Sequence, residues 1–136
     1  MDGADRIEIH ELMALYGFIT DERDWSRIGD LVTADIFFDL SALGGDMVRG
    51  IDAFTLVMTA PDAWRPLAHH VGNVIVTESA DGRVRVDSKV AAVLDDGKVL
   101  SFSYIDEVRR CEDGRWRIAA RAIIGRRKPS RGRDSG

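Results

Sequence analysis

Three Asp-Gly pairs punctuate the second half of the chain, in "ADGR" (80–83), "DDGK" (95–98) and "EDGR" (112–115). Asp-Gly supplies the positive φ that tight hairpins need, and each pair is flanked by apolar and β-branched residues. The glycines stand 15 and 17 residues apart, which predicts four long antiparallel strands in a meander. Alternation agrees. Val84, Val86, Val90, Ala92 and Leu94 share one face, and Arg83, Arg85, Asp87 and Lys89 share the other. Leu100, Phe102, Tyr104, Asp106 and Val108 alternate next, followed by Trp116, Ile118, Ala120, Ala122 and Ile124. The opposite face then carries Val99, Ile105 and Ile123, and a long sheet needs cover for such a face. A homodimer or higher oligomer is expected.

The first half reads differently. Ile9, Leu12, Met13, Tyr16 and Ile19 recur at three- and four-residue intervals, predicting a helix from Asp5 to about Thr20. Asp24 is a fair N-cap for a short second helix carrying Trp25, Ile28, Leu31 and Val32. "DIFFDL" (35–40) is a strand candidate, and the glycines of "SALGGDMVRG" then break regular structure. A third helix starts near Ile51 and ends at the two prolines of "APDAWRP". Three helices against a long curved antiparallel sheet make an α+β domain, a cone open at one end. A small-molecule substrate would sit in that opening.

Composition narrows the partners. One Cys, Cys111, excludes an internal disulfide and fits a reducing cytoplasm. No apolar run approaches the roughly 18 residues of a membrane span. The acidic start "MDGADRIEIH" lacks signal-peptide character. The last stretch, "RRKPSRGRDSG", holds five Lys or Arg, leaving 14 basic and 22 acidic residues in positions 1–125. A body of net charge −8 argues against nucleic acid. Residues 1–127 are expected to form one domain, with 128–136 a flexible basic tail.

Several catalytic signals are missing. "ALGGDMVRG" lacks the Gly-Lys-Ser/Thr of a phosphate cradle, and no His-Glu-x-x-His or Cys-x-x-Cys occurs. His69 and His70 are adjacent on a predicted strand, so they point to opposite faces and cannot grip one metal. Leu67, His69, Val71, Asn73 and Ile75 fall on one strand face, so one histidine enters an apolar interior. A lone interior histidine is more often a hydrogen-bonded core residue than a catalyst. Asp21 alone reads as a solvated carboxylate ending a helix.

Taken together, "TDERDWSRIGDLVTADIFFDL", "LAHHVGN" and "YIDEVRRCEDGRWRIAARAI" change that balance. Their order and spacing resemble the SnoaL-like branch of the nuclear transport factor 2-like superfamily, across residues 5 to 127. The resemblance implies a cone-shaped (NTF2-like, cystatin-like) α+β barrel, commonly a homodimer or homotrimer. The family includes polyketide cyclases, scytalone dehydratase, a dehydrochlorinase and small subunits of ring-hydroxylating dioxygenases. Asp21 matches the family aspartate four places before a tryptophan, here Trp25. His69 matches the histidine four places before Asn73, which is the catalytic base in lyase members, and His70 then points away. Arg109 or Arg110 falls near the arginine used by the dehydrochlorinase. Thr20 and Leu40 stand where scytalone dehydratase has tyrosines, and "VDSKVAAVL" has no counterpart of its second histidine. Dehydration of scytalone itself is therefore not expected.

What the resemblance implies chemically is an Asp21-held His69 that abstracts a proton α to a carbonyl or beside a leaving group. Dehydration, elimination, isomerisation and ring closure all begin so, and no cofactor is required. Tyr16, Trp25 and Phe102 would wall the pocket, with Asn73 and Tyr104 as donors to an enolate oxygen. Two other readings stay open, a non-catalytic ligand-binding or partner-stabilising module and a dioxygenase small subunit.

Overall fold

A computed structural model describes residues 1–126. The expected tail, 128–136, lies outside the described residues. Helix α1 runs Gly3–Glu22, and a 3-10 turn at Trp25–Arg27 leads into the one-turn α2, Ile28–Leu31. Strand β1 (Val32–Asp39), a 3-10 turn, the short β2 (Met47–Arg49) and α3 (Ile51–Thr59) complete the first half. Then come β3 (Ala68–Glu78), β4 (Val84–Val93), β5 (Val99–Arg110) and β6 (Trp116–Gly125). Asp24 makes no side-chain cap bond to the helix backbone; its carboxylate accepts from the Ser26 hydroxyl instead. Ala60, held extended before Pro61, ends α3 as a residue preceding proline should.

All three expected hairpins form, with Gly82, Gly97 and Gly114 at φ 82–85°. Only the glycine takes positive φ. Gly82 N–H donates to the Ser79 carbonyl, and Ser79 N–H to that of Arg83, a type I turn closed by a bulged glycine. The Asp of each turn accepts from the backbone two residues on, as Asp81 does from Arg83.

Among the described residues the sheet has six strands in the order β2-β1-β6-β5-β4-β3, curved and unclosed. Every neighbouring pair is antiparallel except β1 and β6, which run parallel with Phe37 opposite Ala120. The expected all-antiparallel sheet is thus mixed. A strand arriving from the far end of the chain after a helix has no hairpin to fix its direction.

Two bulges also overturn the expected alternation. In β3, Gly72 faces Lys89 but Ile75 faces Asp87, leaving one residue too many, and Asn73 there adopts φ 51°. His69 and Val71 face the helices before the bulge, Val74 and Val76 after it, and Asn73 and Ile75 are exposed. In β6, Glu107 pairs Ala120 but Val108 pairs Ile118, so Ala119 is extra. An inserted residue exchanges the faces of everything beyond it. Arg121 and Ile123 therefore point inward, where Ala120, Ala122 and Ile124 were expected. Between sheet and helices lies a core that includes Ile9, Met13, Ile19, Ile36, Phe54, Val86 and Ile118.

Candidate functional site

Helix α1 delivers Asp21 at its last turn, where Arg23 in the left-handed conformation ends the helix. The helix lies close on β3 because residue 17 is glycine. A Cβ there would stand 3.0 Å from the His69 carbonyl oxygen. Asp21 makes three contacts to two N–H groups of one residue. His69 Nδ1 lies 2.7 Å from Oδ1, and the His69 backbone N–H donates to Oδ2 at 2.9 Å and Oδ1 at 3.2 Å. A carboxylate at Nδ1 fixes the tautomer with the proton there, so Nε2 keeps its lone pair. The His69 side chain is 9% exposed, and its ring meets Tyr16 edge-on at 5.8 Å between centroids. His70 is exposed.

A cavity of about 470 Å³ opens in front of His69. Tyr16, Phe102 and Tyr104 line it, with Phe38, Met58 and Ile123. Trp25 and Asn73 do not. Trp25 packs against the core outside the cavity, and Asn73 is exposed on its bulge. The segment between α3 and β3 forms the rim with Asp62, Ala63, Trp64 and Arg65, and Trp64 meets Phe102 edge-on. Among the described residues, no three His, Cys, Asp or Glu side chains converge as a metal site.

Neither Arg109 nor Arg110 approaches the cavity. Arg109 pairs with Asp35 and Arg110 with Asp5, both on the surface. The arginine behind the cavity wall is Arg121, which sequence reasoning missed because the bulge at Ala119 reverses its face. It holds Asp106 through two 2.8 Å bonds, Nε to Oδ1 and Nη2 to Oδ2. Its guanidinium lies 3.9 Å from the Tyr104 ring centroid and 4.4 Å from that of Tyr16. Burial opposes the Arg121 charge, but the Asp106 carboxylate outweighs it and raises the guanidinium pKa. Burial likewise pushes the Asp106 carboxyl up, against the pull of Arg121. The bidentate geometry fits a charged pair. Burial raises both phenols, Tyr104 strongly. Near neutral pH, each is a hydrogen-bond donor rather than a base.

Helices packed in a curved sheet around an apolar cavity, with a carboxylate-held imidazole in its wall, define a small-molecule pocket of the cone type. The chain belongs to the SnoaL-like domain family, whose model matches residues 2–122. A solved structure from Novosphingobium aromaticivorans, provisionally assigned as an aromatic ring hydroxylase, is 27% identical with a TM-score of 0.77. That match covers 96% of this chain and 94% of that chain. A provisional scytalone dehydratase from N. aromaticivorans DSM 12444 is 18% identical over 91% of this chain and 85% of that one, TM-score 0.75. Hexachlorocyclohexane dehydrochlorinase LinA-type3 from Novosphingobium barchaimii LL02 is 18% identical over 95% and 92%, TM-score 0.74. At 18% identity, these two share the fold. No curated protein matches this chain.

Proposed function

We propose that this protein is a cofactor-independent lyase, isomerase or cyclase in which His69 is the general base and Asp21 its holder. The observation that carries the reading is the 2.7 Å contact between Asp21 Oδ1 and His69 Nδ1, beside an open cavity that His69 lines. A pocket filled by side chains, or His69 bonded to backbone alone, would have favoured a binding module. Similarity to a dehydrochlorinase and a provisional scytalone dehydratase supports an elimination chemistry.

In this reading, His69 Nε2 removes a proton from carbon α to a carbonyl. The electrons move onto the carbonyl oxygen as an enolate, and Asp21 stabilises the imidazolium that forms. Tyr104, held protonated by burial, donates to the enolate oxygen. Collapse of the enolate expels a β-hydroxyl, which leaves as water with the proton returned by His69. With an internal electrophile in place of the leaving group, the same enolate closes a ring. A hydroxy-carbonyl or polyketide-like skeleton suits both outcomes.

The protein would act in the cytoplasm, where its single cysteine stays reduced, and as a homodimer or homotrimer. A second reading, a small subunit of a ring-hydroxylating dioxygenase, draws on the 27% identical neighbour.

The test is a screen of β-hydroxy ketones and polyketide-like aromatics for loss of water or ring closure. His69→Ala and Asp21→Asn should each abolish turnover on a hit, with circular dichroism unchanged. His70→Ala should leave rate and stability alone, since that side chain is exposed. Full activity in His69→Ala refutes the proposal.

A further inference from the structure

Arg65 stands on the cavity wall and is half-buried, yet no carboxylate lies within ion-pair distance of it among the described residues. It is held rigidly all the same. Nη2 donates to the carbonyls of Met58 and Ala60, both at 2.9 Å, at the C-terminal end of α3. The guanidinium also lies over the Trp25 ring, 5.6 Å from its centroid. Pro61 and the buried Pro66 stiffen the segment on either side. Nε is buried with no acceptor, while Nη1 has neither a partner among the described residues nor a seal from solvent. Nη1 is therefore the open donor of a fixed cation, and an anion that replaces water there gains a charge-assisted bond that a neutral ligand does not.

The rest of the lining sharpens the point. Apart from His69 and the exposed Asp62, Arg65 is the charged side chain of a wall built from Tyr16, Phe38, Phe102 and Tyr104. Aromatic edges select a planar, apolar skeleton, and a guanidinium fixed through Nη2 with Nη1 left open selects an anionic group such as a carboxylate. We propose that Arg65 is the anion-reading residue of this cavity and that its substrate is an aromatic or fused-ring carboxylate. The proposal rests on the cavity being the substrate site and adds the substrate's charge to that reading. Arg65 is a specificity residue; the proton transfer belongs to His69.

Calorimetric titration with 2-naphthoate and its neutral isostere 2-naphthamide, near pH 7, tests the proposal without needing turnover. The native protein should bind the carboxylate about tenfold more tightly than the amide. In Arg65→Gln that ratio should fall to about one with the amide affinity unchanged, which a merely structural role for Arg65 would not produce. His69→Ala should keep the native ratio, so failure of the general-base reading would leave this one standing. Equal affinities in the native protein, binding of neither probe, or a ratio that survives Arg65→Gln would each overturn it. Should Arg65→Gln fail to fold, salt reads the same charge on the native protein. Sodium chloride must weaken naphthoate and leave naphthamide alone, and equal responses would also overturn the proposal.

Discussion

Arg121 keeps its charge inside the fold only because Asp106 lies against it, and the pair is a liability when split. Replacing Arg121 by Met would leave a buried carboxylate with no counter-ion, a loss of about 3–5 kcal/mol. Arg121→Met with Asp106→Leu should recover most of that, since an apolar pair has no charge to desolvate. Urea denaturation of the two variants decides it, and a cost below about 1 kcal/mol for the single change would show that water reaches the pair. Asp5 behaves in the opposite sense. The Asp2 backbone N–H and the Trp116 indole N–H, with help from Arg110, lower its carboxyl from 3.8 to about 2. A depressed acid stabilises the fold above its ordinary value, and that contribution disappears as the pH falls toward 2. Asp5→Asn should therefore melt below the native protein at pH 6, with the two melting curves converging near pH 2. Parallel curves over that range would mean that Asp5 anchors nothing. The contact of Asp21 with His69 was legible in the sequence through the family resemblance, Asp21 standing four places before Trp25 and His69 four places before Asn73. Arg121 was not, since nothing in "WRIAARAIIG" announces an inserted residue.

Helix α1 and strand β3 meet at Gly17, and this contact sets the distance from Asp21 to His69. Gly17→Ala offers a test with competing effects. Alanine favours a helix interior over glycine by roughly 0.5–1 kcal/mol. Its methyl would also press on the His69 carbonyl oxygen, in a strand paired with β4 through His69 and Ala92. A laddered carbonyl retreats less readily than a side chain, so α1 is expected to shift and carry Asp21 with it. On the proposed general-base reading, turnover should fall at least about tenfold while the fold persists, because displacements near 1 Å can cost more than that. Unchanged kcat with a raised Tm would mean that the strand absorbs the methyl. The hairpins were legible for a local reason: each turn is written within five consecutive residues. The parallel pairing of β1 with β6 joins Phe37 to Ala120, and neither segment carries a mark of the other. The bulge at Asn73 was half visible, since asparagine tolerates positive φ better than most residues, but it also suits many other places.

The outer face of the sheet poses the remaining physical problem. A second hollow of about 460 Å³ runs across it, walled by Phe37, Ile105, Ala120 and Ala122, with Arg83, Arg85, Asp39 and Glu107 around it. The set expected from alternation changes in one member, because Ile123 lines the inner cavity while Ile105 and Val99 remain outside. A surface that offers apolar area with both signs of charge can meet a copy of itself across a two-fold axis, Arg to Glu and apolar to apolar. Light scattering should then give a mass twice the 15.1 kDa of one chain. Ile105→Glu places a carboxylate in the middle of the hollow, and in a symmetric contact places two of them close together. That variant should scatter as 15.1 kDa with its melting curve little changed, since Ile105 is only half-buried in the single chain. A native protein that stays at one chain's mass at every concentration would refute assembly. A variant that assembles like the native protein would move the contact elsewhere, to the exposed Ile75 and Val99 at other parts of the sheet.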